Sequence, residues 1–97
     1  MPAYVISSVD VHDPSGYEEY RLRVPDVIAR HGGRYLVRGG RAECLEGEAG
    51  GARIVVLEFP SFEVARRWYE SQEYQAVLPI RHATADATVV LVEGVDA

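Results

Sequence analysis

An α+β fold with element order β-α-β-β-α-β is what the sequence predicts, and three observations predict it. Three short runs, Ala3–Val11, Arg53–Pro60 and Ala87–Glu93, are apolar at most positions, as strands covered on both faces are. Two intervening stretches carry apolar residues at three- and four-residue spacing, the pattern of amphipathic helices. A fourth strand candidate, Arg34–Glu46, leads into Arg53–Pro60 through a glycine-rich connection.

The elements follow in order. Ala3–Val11 reads as a strand, and Asp13-Pro14 supplies an N-cap followed by Pro at the first helical position. Tyr17, Tyr20, Val24, Val27, Ile28 and His31 then mark one helix face from about Pro14 to His31. Pro25 lies inside it and removes a backbone donor, so a kink or two short helices end to end is expected. Gly32-Gly33 ends the element, since Gly accepts the left-handed conformation.

Arg34–Glu46 is the next strand, with a bulge or bend expected at Gly39-Gly40. Residues Gly47–Gly51 form a loop, and Arg53–Pro60 is the central strand. The register with the best apolar match pairs Cys44 with Val55, Ala42 with Leu57 and Gly40 with Phe59. It also sets Arg41 opposite Glu58 and Glu46 opposite Arg53.

Ser61 caps a second helix whose stripe is Phe62, Ala65, Trp68 and Tyr69, with Glu63 in its first turn. Ser71 is a fresh N-cap for a short turn carrying Tyr74, Val77 and Leu78. Pro79 is expected to redirect the chain through Ile80-Arg81-His82 to the last strand.

This is the ferredoxin-like arrangement in a single domain, residues 1–97, with an antiparallel four-stranded sheet. Two helices ~10 Å across cover one face of a sheet ~20 Å wide, and only one. A chain this short buries only ~60–65% of its extended surface. Strands apolar on both faces therefore predict that two sheets pack face to face in a homodimer.

Composition narrows the function classes. The net charge of −5 argues against a nucleic-acid or anionic-membrane partner. Its ten basic residues are all Arg. The lone Cys44 allows no internal disulfide, and the first residues have neither a basic region nor a long apolar run. No stretch has transmembrane length. A cytoplasmic protein is the expectation.

Chemistry-bearing residues are few. Glu58 on a central strand must be paired or must shift its pKa; the pair with Arg41 is the structural reading and a catalytic acid or base the functional one. Arg38 stands beside the Gly-Gly bend, while Arg81 and His82 sit in the irregular stretch before the last strand. His12, His31 and His82 lack metal-ligand spacing, so neither a metal nor another cofactor is expected. The Gly47–Gly51 loop has no Lys, carries Glu48 and leads into a strand, so it is no phosphate cradle. Aliphatics replace the stacking aromatics that RNA-binding sheets of this topology display on their central strand. The aromatic residues at helical spacing read first as core.

Gly32-Gly33-Arg34-Tyr35-Leu36-Val37-Arg38-Gly39-Gly40, Val56-Leu57-Glu58-Phe59-Pro60-Ser61 and Trp68-Tyr69-Glu70-Ser71 with Glu73-Tyr74-Gln75 resemble one family. Ala3-Tyr4-Val5-Ile6, Asp13-Pro14 with Tyr17 and Tyr20, and Leu91-Val92-Glu93-Gly94 share the likeness. It is the domain-of-unknown-function family numbered thirteen-thirty, within the dimeric α/β-barrel superfamily. The resemblance covers nearly the whole chain and implies the dimer that burial also implies. It implies no reaction: the superfamily holds cofactor-independent oxygenases, isomerases and haem enzymes, and this family has none assigned. It suggests a pocket around the Gly-Gly bend, Glu58, Trp68, Tyr74 and Arg81.

Two functions compete. One is a cofactor-independent oxygenase or isomerase acting on a small apolar or aromatic acid, with Arg38 or Arg81 holding the anionic group. Trp68 and the tyrosines, Tyr74 among them, then form walls, and Glu58 or His82 moves a proton. The other is a non-catalytic small-molecule-binding or accessory domain. A hollow of several hundred Å³ with convergent Arg and Glu would favour the first, and a filled, fully paired core the second.

Overall fold

The computed structural model describes residues 1–48 and 53–96. The order is β1 (Ala3–Val11), α1 (Pro14–Arg30), β2 (Arg34–Arg38), β3 (Arg53–Phe59), α2 (Phe62–Glu70), α3 (Gln72–Thr84) and β4 (Ala85–Glu93). The strands form one antiparallel sheet in the order β2-β3-β1-β4. This is the ferredoxin-like topology, with the second helix divided in two.

Odd-numbered residues of β1, β3 and β4 face the helices. Ala3, Val5, Leu57 and Phe59 are buried there against Val24, Val27, Ile28, Ala65, Trp68, Val77 and Leu78, and Val9 against Tyr17 and Ala85. The opposite face carries Ile6, Val90 and Val92 at 42%, 51% and 41% exposure, with Leu36 and Val37 also exposed. The expected second apolar face is therefore present and uncovered in the single chain.

α1 runs through Pro25 as one helix and is not split into two short ones. Pro25 cannot donate to the carbonyl four residues earlier, that of Arg21. Arg38 Nη2 donates to that oxygen instead, at 2.8 Å. Gly32, at φ +76°, then ends the helix in the left-handed region, as expected.

β2 is shorter than the sequence suggested. It ends at Arg38 because Gly39 turns at φ +68°, though Gly39 still donates to the carbonyl of Ile54 at 2.8 Å. The bend expected at Gly39-Gly40 is present at Gly39, while the bulge in the ladder lies between Tyr35 and Val37. Residues 41–48 form no strand and are exposed, and residues 49–52, the end of the expected loop, lie outside the described residues.

The register changes accordingly. Arg34 stands opposite Glu58, Tyr35 opposite Leu57, and Arg38 opposite Val55. The pairs Arg41–Glu58 and Glu46–Arg53 do not form; Glu58 takes Arg34 at 2.8 Å on the outer face. The apolar match that favoured the other register is bettered by Tyr35, which packs inward on Leu57 while the turn at Gly39 frees the rest of the segment.

Ser71 joins the two later helices. Its hydroxyl donates to the carbonyl of Trp68 at 2.7 Å and accepts from the Tyr74 amide at 3.1 Å. The short turn expected after it is a thirteen-residue helix that passes through Pro79, so Pro79 does not redirect the chain. Tyr74, Val77, Leu78, Arg81 and Thr84 share its buried face. Packing of that stripe outweighs the ~3 kcal/mol a helix-interior Pro costs.

Candidate functional site

The strand register lays one row of residues straight across the sheet. Arg38 is opposite Val55, Val55 opposite Ser7, and Ser7 opposite Val89. This row is the floor of a cavity between sheet and helices. Its roof comes from Tyr17, Tyr20 and Val24 of α1 and from Tyr74 and Arg81 of α3, and Trp68 of α2 closes one end. Arg21, Arg38 and Arg53 line the rest of its rim, and its volume is about 40 Å³.

Aromatic packing fixes the roof. The Trp68 and Tyr74 rings lie 4.2 Å apart, and Trp68 also packs on Phe59 at 5.2 Å. The hydroxyls of Tyr20 and Tyr74, from different helices, share a hydrogen bond of 2.7 Å. Burial is the main cause that pushes both phenols upward in pKa; Arg81 opposes it at each. Both are neutral at physiological pH.

Arg81 is only 6% exposed, yet no carboxylate pairs with it among the described residues. Burial works against its charge, but the neighbouring Tyr74 and Tyr20 oxygens outweigh it and hold its pKa above the ordinary value. Neutral phenols offer acceptor dipoles, not a counter-charge. A buried guanidinium without an anion is expensive, and it lines a cavity.

The other cations are less bare. Arg21 makes two hydrogen bonds to Glu18, at 2.9 and 2.7 Å, which are the main reason the Glu18 pKa is lowered. Arg38 stacks on the Tyr35 ring at 4.5 Å besides holding the Arg21 carbonyl. Among the described residues, neither the buried Arg53 Nε nor the Trp68 indole nitrogen has a hydrogen-bond partner.

Of the residues singled out in the sequence, Arg38, Trp68, Tyr74 and Arg81 line this one cavity. Glu58 does not: it lies on the outer face with Arg34. His82 is exposed in the last turn of α3 and is likewise absent from the lining. No Asp, Glu, His or Cys among the described residues lines the cavity. Sequence reasoning missed Arg53, Arg21 and Ser7, whereas Tyr20 was among the tyrosines expected as walls. Strand parity alone could have found Arg53, which shares the inward face with Val55 and Leu57.

A second hollow lies beyond Trp68. It has about 380 Å³ and is lined by Val5, Ala65, Trp68, Tyr69, Val89 and Leu91, with Arg66 and Glu70 paired to each other at 3.3 Å. The large volume and the converging cations thus belong to different hollows that share Trp68 and Val89.

Solved structures with this fold include a protein of unknown function from Rhodopseudomonas palustris, at TM-score 0.80 and 16% identity over 99% of this chain and 84% of that one. SnoaB, a cofactor-independent oxygenase from Streptomyces nogalater, matches at TM-score 0.64 and 15% identity, over 99% and 95% of the two chains. A protein from Arabidopsis thaliana matches at 0.70 and 12%, over 98% and 97%. None of the curated proteins matches the sequence. The family model for the domain of unknown function DUF1330 matches residues 2–95, and the chain belongs to that family.

Proposed function

We propose that the cavity binds a small apolar or aromatic acid, with the anionic group against Arg81 and the Tyr20–Tyr74 hydroxyls. The observation that carries this reading is the buried Arg81 guanidinium, which has no counter-charge among the described residues. The volume of about 40 Å³ holds two or three waters or one carboxylate. The body of the acid extends outward toward Arg38 and Arg21 at the rim. Arg38, Trp68, Tyr74 and Arg81 are the ligand contacts in this reading.

A thermal-shift screen of small aromatic and aliphatic acids tests it. A ligand at 100 times its Kd adds ~2.7 kcal/mol of stability, and Arg81→Gln should abolish the gain. A gain that survives Arg81→Gln would place binding elsewhere.

The Arg81–Tyr20–Tyr74 group also favours a second reading, a cofactor-independent oxygenase like SnoaB. One cation beside two phenols stabilises an enolate or phenolate oxygen, the electron-rich form in which an organic acid reacts with dioxygen. An isomerase is less well served, because Glu58 and His82 do not line the cavity to move a proton. Oxygen consumption with ionisable aromatic ligands separates oxygenase from binding protein.

The assembly in this proposal is a cytoplasmic homodimer closed through the outer sheet face. Support comes from Ile6, Leu36, Val37, Val90 and Val92, all exposed on or beside that face. No helix among the described residues is long and apolar enough to cross a membrane.

A further inference from the structure

The cavity has cations at two separate places, and the reading above gives the second, Arg38 with Arg53, no anionic group to hold. Arg81 comes from α3, which packs on α1 and reaches β4. Arg38 and Arg53 stand at the other side of the floor, on β2 and β3. The electrostatics divide the same way: Tyr20 and Tyr74 feel Arg81, whereas Tyr35 and Glu18 feel Arg38 and Arg53.

Among the described residues this second place has no carboxylate paired to it. Glu18 is the carboxylate near it, and Arg21 already holds both its oxygens. Arg38 spends one donor on the Arg21 carbonyl and keeps the others. Arg53 is held in place from outside: Gly39, at φ +68°, leaves no space for a Cβ beside its guanidinium. The chain turns there around the Arg side chain, which keeps it at the cavity instead of in free solvent.

We propose that the ligand is a dicarboxylic acid, one carboxylate at Arg81 beneath the Tyr20–Tyr74 pair and the other at Arg38 and Arg53. The proposal rests on the reading of the cavity as an acid-binding site and names its ligand class. Arg38 and Arg53 lie on the β2–β3 side of the sheet, whereas α3, which carries Arg81, packs on α1 and reaches β4, so the two cation groups border one cavity from different sides. Carboxylates on a single ring or a short aliphatic chain suit so small a hollow and its rim. Recognition of two separated carboxylates by Arg forks is a common use of guanidinium geometry.

The test compares acids of one skeleton by isothermal titration calorimetry: benzoate against benzene-1,4-dicarboxylate, and hexanoate against hexanedioate. The dicarboxylates should bind at least tenfold more tightly. Arg53→Gln should reduce that advantage to within twofold, whereas Arg41→Gln, on the exposed segment, should preserve it. Circular dichroism of each variant confirms that it is folded, and Arg53→Lys should restore part of the advantage. Monoacids that bind as well as diacids overturn the dicarboxylate proposal and leave the acid site standing. An advantage that persists in Arg53→Gln overturns it too, by assigning the preference to net charge alone. Failure of every acid to bind the unaltered protein overturns the acid site and, with it, this proposal.

Discussion

Arg38 donates to the backbone carbonyl of Arg21, the acceptor that Pro25 leaves without its helical partner. A side chain from the end of β2 thereby repairs α1 from across the cavity rim. Arg38→Met should cost about 1 kcal/mol of stability in urea unfolding. In a Pro25→Ala background the residue-25 amide can take over, so the same change should cost much less. A coupling of about 0.5–1 kcal/mol in this cycle is the expected result, and additive losses would show that the contact does not hold the helix.

Arg81 is buried against phenol oxygens with no carboxylate for a partner among the described residues. Those oxygens offset its burial, so a replacement that fills the space removes cost and gain together. Arg81→Met should therefore change the stability of the unliganded protein by less than about 1 kcal/mol while abolishing acid binding. Calorimetric melting with and without ligand measures both. A loss of several kcal/mol in the free protein would mean that Arg81 is a structural member of the roof.

Tyr20, Tyr35 and Tyr74 all have pKa values raised by burial above the ordinary 10.0. Below pH ~10 these phenols are protonated in both folded and unfolded chains, and their contribution to stability is fully present. Above it the unfolded chain releases protons that the folded chain retains, so stability falls as pH rises. Urea midpoints between about pH 8 and 11 should decline from near pH 10. Tyr20→Phe with Tyr74→Phe should flatten that decline, and an unchanged slope would show that these two phenols do not govern it.

The uncovered sheet face leads to a prediction about mass. Sedimentation equilibrium should give twice the chain mass, and Val90→Glu, which puts a charge on that face, should give the single-chain mass. A monomeric unaltered protein that stays folded and soluble would refute the dimer.

Much of this fold is legible in the sequence because local signals and burial agree. β1 has the expected bounds, Ser61 caps α2 at the Val64 amide, and Gly32 closes α1. The β2–β3 register was not legible from apolar matching. The left-handed turn at Gly39 and the inward packing of Tyr35 set it, and both depend on the assembled sheet. Pro79 misled for a related reason: the stripe from Tyr74 to Thr84 gains its value only against the rest of the core. In the cavity, Arg38, Trp68, Tyr74 and Arg81 come together as their elements suggested. Glu58 and His82 do not, since one has outward strand parity and the other sits on the exposed side of a helix that the sequence did not reveal.

Trp68 stands in the wall between the two hollows, and it is the chain's one tryptophan. Its ring packs on Phe59 and Tyr74, and its indole nitrogen has no hydrogen-bond partner among the described residues. The molecule thus contains a built-in optical reporter, an indole whose emission colour registers the polarity on both of its sides. Water or a carboxylate arriving in either hollow would redden or quench that emission, so occupancy can be followed without attaching a dye.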